Sequence, residues 1–279
     1  MLSEEMQEKL SSLLKDDIGS GDVSSALLHE RLCTARITCK QACVLAGMEE
    51  AQFLFESKKL VFAAKAKDGR KISSGKIVAE ITGLNTNILG VERTALNVLG
   101  RMSGVATACA KAKRVVSGTG SKAMPALTRK TMPGFNLFDK KAAEVAGIWP
   151  HRKNLSEFVL LKDNHLRFFS GAGAAVLAAR QRYGASKIIE IEVSSGEEAV
   201  SAAGQGPDMI LLDNFSAENA KETVAELRKI SNAKIELSGG INFKNLKEFA
   251  AAGPDFISMG CLTTNAKSVD FSLEMVKAD

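Results

Sequence analysis

The sequence predicts an α/β protein in which a mixed α+β domain is followed by a barrel of parallel strands. Short apolar runs recur through the second half, separated by segments with the apolar spacing of helices. Runs that are apolar on both faces and alternate with helices indicate a parallel sheet, and six or more in succession favour an open or closed barrel. A doubly wound sheet is the alternative. The runs are Ala123–Leu127, Phe158–Leu161, Ile188–Val193, Met209–Leu212, Ile235–Leu237 and Phe256–Met259.

The first part of the chain follows a different pattern. An amphipathic segment at the start predicts a helix, and short apolar stretches punctuated by glycines then predict strands and turns. A largely helical segment runs from Thr86 to about Ser117. We therefore divide the chain into an α+β domain of residues 1–108, joined by residues 268–279, and a barrel of residues 109–267. The apolar stretches are Ala35–Ile37, Val44–Ala46, Leu60–Ala63 and Ile77–Ile81.

Composition and charge narrow the class of protein. The chain has 279 residues with 37 basic and 32 acidic side chains, a net charge of +5. This mild excess is spread along the sequence and does not argue for nucleic acid binding. No run approaches the roughly 20 apolar residues of a membrane span, and the start lacks the apolar core of a cleavable signal. We expect a cytoplasmic protein that binds neither nucleic acid nor membrane.

Several common kinds of site are missing from the sequence. The cysteines form no CxxC pair and are odd in number, so we expect reduced thiols and no zinc site. There is no GxxxxGK[ST] loop, GxSxG elbow or HExxH motif, which removes most support for kinase and serine hydrolase functions. The cysteines are Cys33, Cys39, Cys43, Cys109 and Cys261.

Basic side chains follow the first predicted strands of the barrel. The carboxyl ends of parallel strands converge on one mouth, so these residues should lie together. Each of these residues alone would be an ordinary surface residue. Several positive charges in one mouth, however, repel one another and destabilise the fold unless an anion compensates them. The fork of arginine suits carboxylates and phosphates, and lysine acts as a point charge. The mouth is therefore predicted to bind a polyanion through Arg129, Lys130, His151, Arg152 and Lys162.

Carboxylates end the next two predicted strands. Glu190 and Glu192 share one face of their strand, with Glu192 nearer the mouth, and Asp213 ends the following strand. Glu192 and Asp213 are suited to hold Mg²⁺ carried by a diphosphate, or to bond ribose hydroxyls. They are equally suited to serve as counter-ions of the basic cluster. Glu190 lies deeper and is interpreted as a structural partner.

A glycine pair follows a late strand of the predicted barrel. Ser238-Gly239-Gly240, followed by Ile241-Asn242 at an expected helix start, offers unobstructed backbone N–H groups for a phosphate. Gly260, after the next run, completes this cradle. Phosphate sites built from late strands are common in barrels, although a Gly-Gly pair after a strand is often only a turn.

The residues identified above lie within a longer ordered set of motifs. Over nearly its whole length the sequence resembles the quinolinate phosphoribosyltransferase family, and the specificity comes from the order and spacing of the motifs together. The matching stretches are Asp17–Asp22 (DIGSGD), Glu92–Asn97 (ERTALN), Ser103–Thr107 (SGVAT), Thr128–Gly134 (TRKTMPG), His151-Arg152, Lys162–His165 (KDNH), Leu212–Asn214 (LDN) and Ser238–Ile241 (SGGI).

The resemblance implies a fold and an assembly. It implies an N-terminal α/β sandwich domain and an open barrel of about seven parallel strands, the type II phosphoribosyltransferase fold. It also implies a homodimer with shared active sites, or a hexamer built from such dimers. In that dimer the N-terminal domain of one subunit caps the barrel of its partner.

The resemblance also implies roles for individual residues. Quinolinate would be bound by Arg93, reaching across the interface, with Arg129, His151, Arg152 and Lys162. Lys130 would lie between quinolinate and the diphosphate of phosphoribosyl diphosphate, and Glu192 and Asp213 would lie on the ribose and Mg²⁺ side. The 5-phosphate would be held by Ser238, Gly239, Gly240 and Gly260.

The implied reaction transfers phosphoribosyl to the ring nitrogen of quinolinate and releases CO₂, with Lys130, Glu192 and Asp213 as catalytic residues. Three alternatives remain open: a nicotinate phosphoribosyltransferase, a relative associated with molybdenum transport, and an inert anion-binding barrel. Lys162 argues against the second, and an inert barrel has no need of both Glu192 and Asp213.

One segment departs from the family pattern. Many members have a glycine-rich stretch and an asparagine before His-Arg, where this chain has Ala146–Pro150. Pro150 fixes its own φ and biases Trp149 toward extended geometry, so the backbone of this loop must differ. Trp149 is either a packing residue or a lid.

Overall fold

The computed structural model describes residues 2–278 and the side chains through residue 276. The helices are α1 (Glu4–Ile18), α2 (Met48–Glu56), α3 (Asn85–Ser117), α4 (Asn136–Val145), α5 (Asp163–Leu166), α6 (Ala172–Tyr183), α7 (Gly196–Ala203), α8 (Ala217–Ile230), α9 (Leu246–Ala251) and α10 (Cys261–Thr264). The strands are β1 (Leu32–Cys39), β2 (Cys43–Val44), β3 (Val61–Ala64), β4 (Lys71–Ile72), β5 (Lys76–Leu84), β6 (Met124–Ala126), β7 (Val159–Leu161), β8 (Ile189–Val193), β9 (Met209–Asp213), β10 (Lys234–Ser238), β11 (Phe256–Ser258) and β12 (Phe271–Ala278). Among the described residues, no helix is both long enough and apolar enough to span a bilayer.

The chain divides into two compact units. The first contains the residues up to 110 together with 132–147 and the C-terminal segment from 265, and the second contains 111–131 and 148–264. The sequence division at 108 and 268 placed residues 132–147 in the barrel, but the structure assigns them to the first unit. There Arg101 donates to the buried Asp139 of α4 over 2.8 and 2.7 Å. Helical periodicity alone could not separate α4 from the helices of the barrel.

The first unit contains an antiparallel sheet with the strand order β12-β1-β5-β3. Alternate residues of β1 are buried, as the period of two in a half-covered strand requires. Helix α1 buries Met6, Leu10 and Leu14, which recur every four residues along one face. Strand β12 pairs with β1, so the C-terminal segment completes the sheet of this unit.

The second unit contains a parallel sheet with the strand order β6-β11-β10-β9-β8-β7. Each strand coincides with or overlaps one of the six apolar runs, so the prediction of a parallel α/β barrel is confirmed and the doubly wound alternative is wrong. The strands end close to the same level, since Ser238 pairs with Asp213 and Ser258 pairs with Ala126. The polar residues that follow the strands therefore share one mouth.

The barrel has slightly fewer regular strands than the about seven that the family resemblance implies. Within residues 2–278 the barrel sheet has six strands, and the place of another beside β6 holds a single bridge between Ala126 and Trp149. Trp149 N–H donates to Pro125 O over 3.2 Å, and Leu127 N–H donates to Trp149 O over 3.0 Å. The ladder ends there because Pro150 has no N–H and His151 has a φ of 57°.

Two aspartates tie neighbouring strands together at the amino-terminal end of the barrel. Asp208 accepts hydrogen bonds from a backbone N–H of β8 over 2.7 Å and from Arg180 of α6 over 3.0 Å. Asp255 accepts equivalent bonds from β10 over 2.9 Å and from Arg228 of α8 over 2.6 Å. Each carboxylate thus joins two neighbouring strands and the helix that precedes the first of them.

Candidate active site

A cavity of about 370 Å³ opens at the carboxyl ends of the barrel strands. It collects most of the charged residues predicted from the strand ends, both basic and acidic. Its walls are formed by Thr128, Arg129, Lys130, His151, Arg152, Leu160, Lys162, Glu192, Leu211, Asp213, Glu236, Ser238 and Ser258. We call this the cationic cavity.

A second cavity of about 380 Å³ adjoins it. The two share Thr128, Lys130, Asp213, Ser238 and Ser258, so Lys130 and Asp213 stand between them. The other residues that line the second cavity are uncharged, and three of them are glycines. Its remaining walls are Asn214, Gly239, Gly240, Ile241, Asn242, Gly260, Cys261 and Thr264, and we call it the glycine cavity.

Arg152 is the most buried cation of the cationic cavity. It is 4% exposed, donates to Phe158 O over 3.3 Å, and its Nε finds no hydrogen-bond partner among residues 2–278. Burial lowers the pKa of its guanidinium, and the charge of Arg129 lowers it further. A buried, incompletely bonded cation beside a second cation is stabilised by an anion.

Lys130 is held at its backbone, which leaves its side chain directed at the cavities it lines. Its N–H donates to Thr128 Oγ1 over 3.1 Å, and its carbonyl accepts from Thr263 Oγ1 over 2.6 Å. A Cβ at Gly260 would lie 3.5 Å from Lys130 Cδ, so the side chain of Lys130 passes close to this glycine.

Lys162 and Glu192 face each other across β7 and β8. Lys162 Nζ donates to Glu192 Oε2, and the backbone N–H of Lys162 donates to His165 Nδ1 over 2.9 Å. The His165 contact fixes the turn that begins the Lys162–His165 motif. The side chain of Lys162 is 41% exposed and that of Glu192 12%, so the carboxylate is the more buried partner.

The glycine cavity depends on a close approach of two loops. Gly239 has a φ of +91°, and a Cβ there would lie 2.4 Å from both the backbone N and Oδ1 of Asn214. Asn214, itself at a φ of 59°, donates its side-chain amide to Asp213 over 2.6 Å. Only glycine fits at residue 239, and the loop backbone is consequently exposed to a ligand.

The helix expected directly after Ser238-Gly239-Gly240 begins later than predicted. Helix α9 starts at Leu246, and Asn242 and Asn245 form a turn before it. Their side-chain amides donate to Gly240 O over 3.0 and 3.2 Å, and Asn245 Oδ1 accepts from Asn242 N–H over 2.8 Å. These side chains satisfy the backbone in place of a helical turn, so the predicted phosphate cradle would consist of loop N–H groups.

Beneath the cationic cavity, His151 lies beside two buried carboxylates. Its Nε2 is 3.5 Å from Glu190 Oε2 and 3.5 Å from Glu236 Oε1, and Glu236 also accepts from Ser258. Both oxygens of Glu190 find no hydrogen-bond partner in the described part of the chain. Burial raises the pKa of Glu190 well above its ordinary value, and the charge of Glu236 raises it further. Glu190 is therefore a deep structural partner, as the sequence indicated.

The spacing of these three side chains would admit a metal ion, but the bonding of His151 does not suit one. The nearest ligand atoms of His151, Glu190 and Glu236 all lie within 4.8 Å of one another. However, His151 Nδ1 accepts the backbone N–H of Arg152 over 2.8 Å and so carries no proton. The ring proton must then be on Nε2, which faces the carboxylates and is unable to ligate a metal.

Comparison with known proteins identifies the family. The sequence matches the profile described as quinolinate phosphoribosyl transferase, N-terminal domain, over residues 22–103, and the profile of the C-terminal domain over residues 105–274. The chain belongs to the quinolinate phosphoribosyltransferase family.

Similar proteins cover nearly the whole chain. The probable nicotinate-nucleotide pyrophosphorylase (carboxylating) of Archaeoglobus fulgidus is 40% identical over 260 residues, 92% of this chain and 99% of that protein. The human nicotinate-nucleotide pyrophosphorylase (carboxylating) is 39% identical over 267 residues, 95% and 90% of the two chains. The solved structure of the nicotinate-nucleotide pyrophosphorylase from Francisella tularensis has a TM-score of 0.93 at 30% identity, covering 99% and 98%.

In this phosphoribosyltransferase the atypical residue Trp149 packs into the barrel. Its ring centroid lies 4.6 Å from that of His151, 4.5 Å from that of Phe256 and 6.2 Å from that of Phe158. Of the two interpretations of Trp149, these contacts favour packing. The departure from the family pattern therefore leaves His151 and Arg152 in the cationic cavity. What it changes is the packing beside His151, where the ring of Trp149 now lies.

Arg93 is the predicted site residue that belongs to the first unit. Its side chain is 64% exposed and its NH2 lies 3.9 Å from Glu92. With Asn97, Arg101 and Phe135 among its neighbours, it lines a cavity of about 470 Å³ within that unit. Its predicted contact with quinolinate stays a prediction that concerns a second subunit.

Sequence reasoning missed Glu236, Ser258 and Thr128 as cavity residues. Glu236 gave a usable signal, because it is a charged residue in the middle of the apolar run Ile235–Leu237. Thr128 is part of a quoted motif, but its role as an acceptor for Lys130 N–H depends on the local turn. Ser258 gave no signal that separates it from an ordinary buried serine.

Proposed function

We propose that this protein transfers phosphoribosyl from phosphoribosyl diphosphate to quinolinate and decarboxylates the product. The products are nicotinate mononucleotide, diphosphate and CO₂, a step of NAD biosynthesis. A cytoplasmic location, expected from the sequence, is part of the proposal, because both substrates are small, charged and water-soluble.

The observation that carries the proposal is the pair of adjoining cavities in one barrel mouth. The cationic cavity suits a small dicarboxylate, and the glycine cavity suits a phosphate held by backbone N–H groups. Lys130 and Asp213 line both, which is where the bond between the two substrates would form. An inert anion-binding barrel needs neither the second cavity nor a carboxylate between the two.

Quinolinate fits the cationic cavity by charge and by shape. Arg129, Arg152 and Lys162 provide permanent positive charges for its two carboxylates, and Arg152 Nε is a buried donor without a protein partner within residues 2–278. His151 supports this set by accepting the backbone N–H of Arg152. A monocarboxylate such as nicotinate would neutralise less of the cluster, so the cavity favours the dicarboxylate.

The phosphoribosyl group fits between the two cavities. Its 5-phosphate would be held by Ser238, Gly239, Gly240 and Gly260, and its ribose would lie beside Asp213 and Glu192. As diphosphate leaves, positive charge develops on the anomeric carbon, and fixed carboxylates stabilise it. Lys130 would stabilise the negative charge on the departing diphosphate. The protein thus contributes position and electrostatics, with no covalent intermediate.

Magnesium is part of the proposal as a companion of phosphoribosyl diphosphate. Glu192 and Asp213 supply oxygen ligands on adjacent strands in one cavity, and Mg²⁺ usually combines one or two carboxylates with waters and substrate phosphates. The donor set therefore fits the ion, through direct or water-mediated contacts. When bound, the ion would neutralise charge on the diphosphate.

Loss of CO₂ follows from the chemistry of the transferred product. After transfer the ring nitrogen is cationic, so the electron pair of the bond between C2 and its carboxylate is stabilised by the ring as CO₂ departs. A proton then replaces CO₂ at C2. The enzyme holds the other carboxylate and the ribose phosphate in place during this step.

A homodimer, or a hexamer of dimers, is also proposed. Both units expose large apolar side chains that suit a subunit interface: Leu27 is 86% exposed in the first unit and Phe168 is 87% exposed in the second. Arg93 from one subunit would complete the cationic cavity of the other. Arg93→Ala and Lys130→Ala should each be nearly inactive, and mixed dimers of the two should regain part of the activity. Verified mixed dimers without activity would overturn the shared site.

The function is tested by offering the purified protein quinolinate or nicotinate with phosphoribosyl diphosphate and Mg²⁺. We expect nicotinate mononucleotide from quinolinate with release of CO₂, and at most slow turnover of nicotinate. Arg152→Met should abolish turnover of quinolinate, whereas Arg182→Met, a change at an exposed arginine of α6, should leave it intact. Turnover of nicotinate alone, without CO₂, would replace quinolinate by nicotinate as the acceptor.

A further inference from the structure

The structure pairs two side chains that the proposed function assigns to different substrates. Lys162 Nζ donates to Glu192 Oε2, although Lys162 is assigned to quinolinate and Glu192 to the ribose. The pairing follows from the sheet register: Leu161 of β7 lies opposite Ile191 of β8, so the next residues along both strands also lie opposite each other. One ion pair therefore connects the two substrate positions.

We propose that Glu192 competes with quinolinate for Lys162 and thereby makes the binding of the two substrates cooperative. The inference rests on the proposed function of the site. Quinolinate has to draw the Lys162 ammonium away from Glu192, or share it. Phosphoribosyl diphosphate engages Glu192 through its ribose hydroxyls and its magnesium, which releases Lys162. Each substrate then binds more tightly in the presence of the other.

In the environment of this ion pair, separating Lys162 from Glu192 is energetically unfavourable. Glu192 is only 12% exposed, so water compensates little of its charge when Lys162 turns away. Burial and Arg129 lower the pKa of the Arg152 guanidinium, and the charge of Glu192 opposes that lowering, so Glu192 also offsets positive charge elsewhere in the cationic cavity. A dicarboxylate entering the cavity alone meets a fixed carboxylate beside its own binding cations. Once Glu192 bonds the ribose, part of this repulsion is removed.

A different role for Glu192 predicts the opposite sign. If Glu192 only orients Lys162 for substrate, removing its charge releases the lysine from its productive rotamer and weakens quinolinate binding. If Glu192 and quinolinate compete for Lys162, removing the charge of Glu192 strengthens quinolinate binding. Binding of quinolinate as the sole ligand therefore separates the two roles without requiring turnover.

The test is calorimetric titration of the full-length protein with quinolinate as the sole ligand. Glu192→Gln should bind quinolinate about five-fold or more tightly than the parent protein, in the range of ordinary coupling between sites. Glu197→Gln, which removes the same charge from the exposed first turn of α7, should leave the affinity unchanged. Glu192→Ala, with its fold verified by circular dichroism, should change the affinity in the same direction as Glu192→Gln.

A second pair of titrations isolates Lys162. In a Lys162→Met background, Glu192→Gln should tighten quinolinate binding much less than in the parent protein, because the contested ammonium is gone and only the repulsion by Glu192 is removed. Tightening of the same size in that background would assign the effect to the general field of Glu192 and would overturn competition for Lys162. Unchanged or weaker binding by Glu192→Gln in the parent protein would also overturn it.

Cooperativity is measured with benzene-1,2-dicarboxylate, which has both carboxylates of quinolinate but no ring nitrogen to react. Phosphoribosyl diphosphate with Mg²⁺ should tighten its binding to the parent protein and have a smaller effect on Glu192→Gln. An equal effect on both proteins would overturn the coupling. A parent protein that binds no quinolinate and turns over only nicotinate would refute the proposed function itself, which is a distinguishable result.

Discussion

At the amino-terminal ends of the barrel strands, Asp208 and Asp255 each bond a backbone N–H and an arginine, whereas at the carboxyl ends basic residues crowd into one cavity above two buried glutamates. The first arrangement satisfies charge within the protein. The second leaves Arg152 Nε without a hydrogen-bond partner in the described residues. Charge that is satisfied internally stabilises the barrel, and charge that is not marks where a ligand binds. In this sheet the amino-terminal ends of the strands therefore contribute to stability, and the carboxyl-terminal ends contribute to function.

The largest expected effect concerns activity at the mouth. Lys130→Met should lower kcat about 10³-fold, because a preorganised cation at the departing diphosphate is lost. Its free energy of unfolding should stay within about 0.5 kcal/mol of the parent protein, since the side chain is exposed. Steady-state kinetics and urea unfolding measure the two quantities. Lys229→Met on the exposed face of α8 is the control, and a large loss of stability in Lys130→Met would break the comparison.

The reverse pattern is expected at the other end of the barrel. Asp255→Ala should lower the free energy of unfolding by about 2 to 3 kcal/mol, because charge-assisted bonds to Arg228 and to β10 are lost. Its kcat/KM should match that of the parent protein at a temperature where both are folded. Glu226→Ala, at an exposed residue of α8, controls for the loss of a carboxylate. A selective loss of kcat in Asp255→Ala with unchanged stability would contradict the assignment.

The buried Glu190 predicts a pH dependence of stability. Burial raises the pKa of Glu190 above its value in the unfolded chain, and Glu236 adds to the shift. The protonated carboxyl thus favours folding below the unfolded pKa, and this contribution is lost as the pH rises through the folded pKa. Glu190→Gln, which keeps the shape without the charge, should therefore gain stability relative to the parent protein as the pH rises above the ordinary range of a carboxyl group.

Urea unfolding at several pH values measures this difference, with Glu197→Gln as the exposed control. A stability difference that does not change with pH would show that Glu190 does not titrate in this range. A difference that shrinks as the pH rises would contradict the sign.

The smallest expected effect is the loss of stability in Asp208→Ala, which should be less than that in Asp255→Ala. The side chain of Asp208 is 44% exposed and that of Asp255 is 20% exposed. Water replaces lost bonds more readily at Asp208, so Asp208→Ala should cost about 1 kcal/mol or less. Thermal unfolding of the two variants side by side checks the order. A larger loss for Asp208→Ala than for Asp255→Ala would show that exposure does not set the strength of these ties.

The sequence predicted the barrel well because its signals are local. A short run apolar on both faces is sufficient to identify a buried parallel strand, and the polar residue after each run marks the mouth. Thus Arg129, Lys162, Glu192 and Asp213 were placed correctly at one cavity without knowledge of the structure. Their roles toward each substrate came from the family resemblance and stay predictions.

The remainder depended on contacts that no local pattern encodes. Helix α4 has the periodicity of a barrel helix, and its unit is shown by its pairing with distant residues: Asp139 with Arg101, and Lys141 with Glu50. Asn242 and Asn245 replace the expected helical turn through side-chain bonds to the backbone. The ion pair of Lys162 and Glu192 follows from the register of two strands, which apolar runs do not specify.

The most direct test of the central claim is the fate of the 2-carboxylate of quinolinate. Quinolinate labelled at that carboxylate is incubated with the purified protein, phosphoribosyl diphosphate and Mg²⁺, and labelled CO₂, diphosphate and nicotinate mononucleotide are counted together. We expect the three products in equal amounts, with none formed by Lys130→Met on the same time scale. Diphosphate release without labelled CO₂, or a mononucleotide that retains the label, would contradict the account.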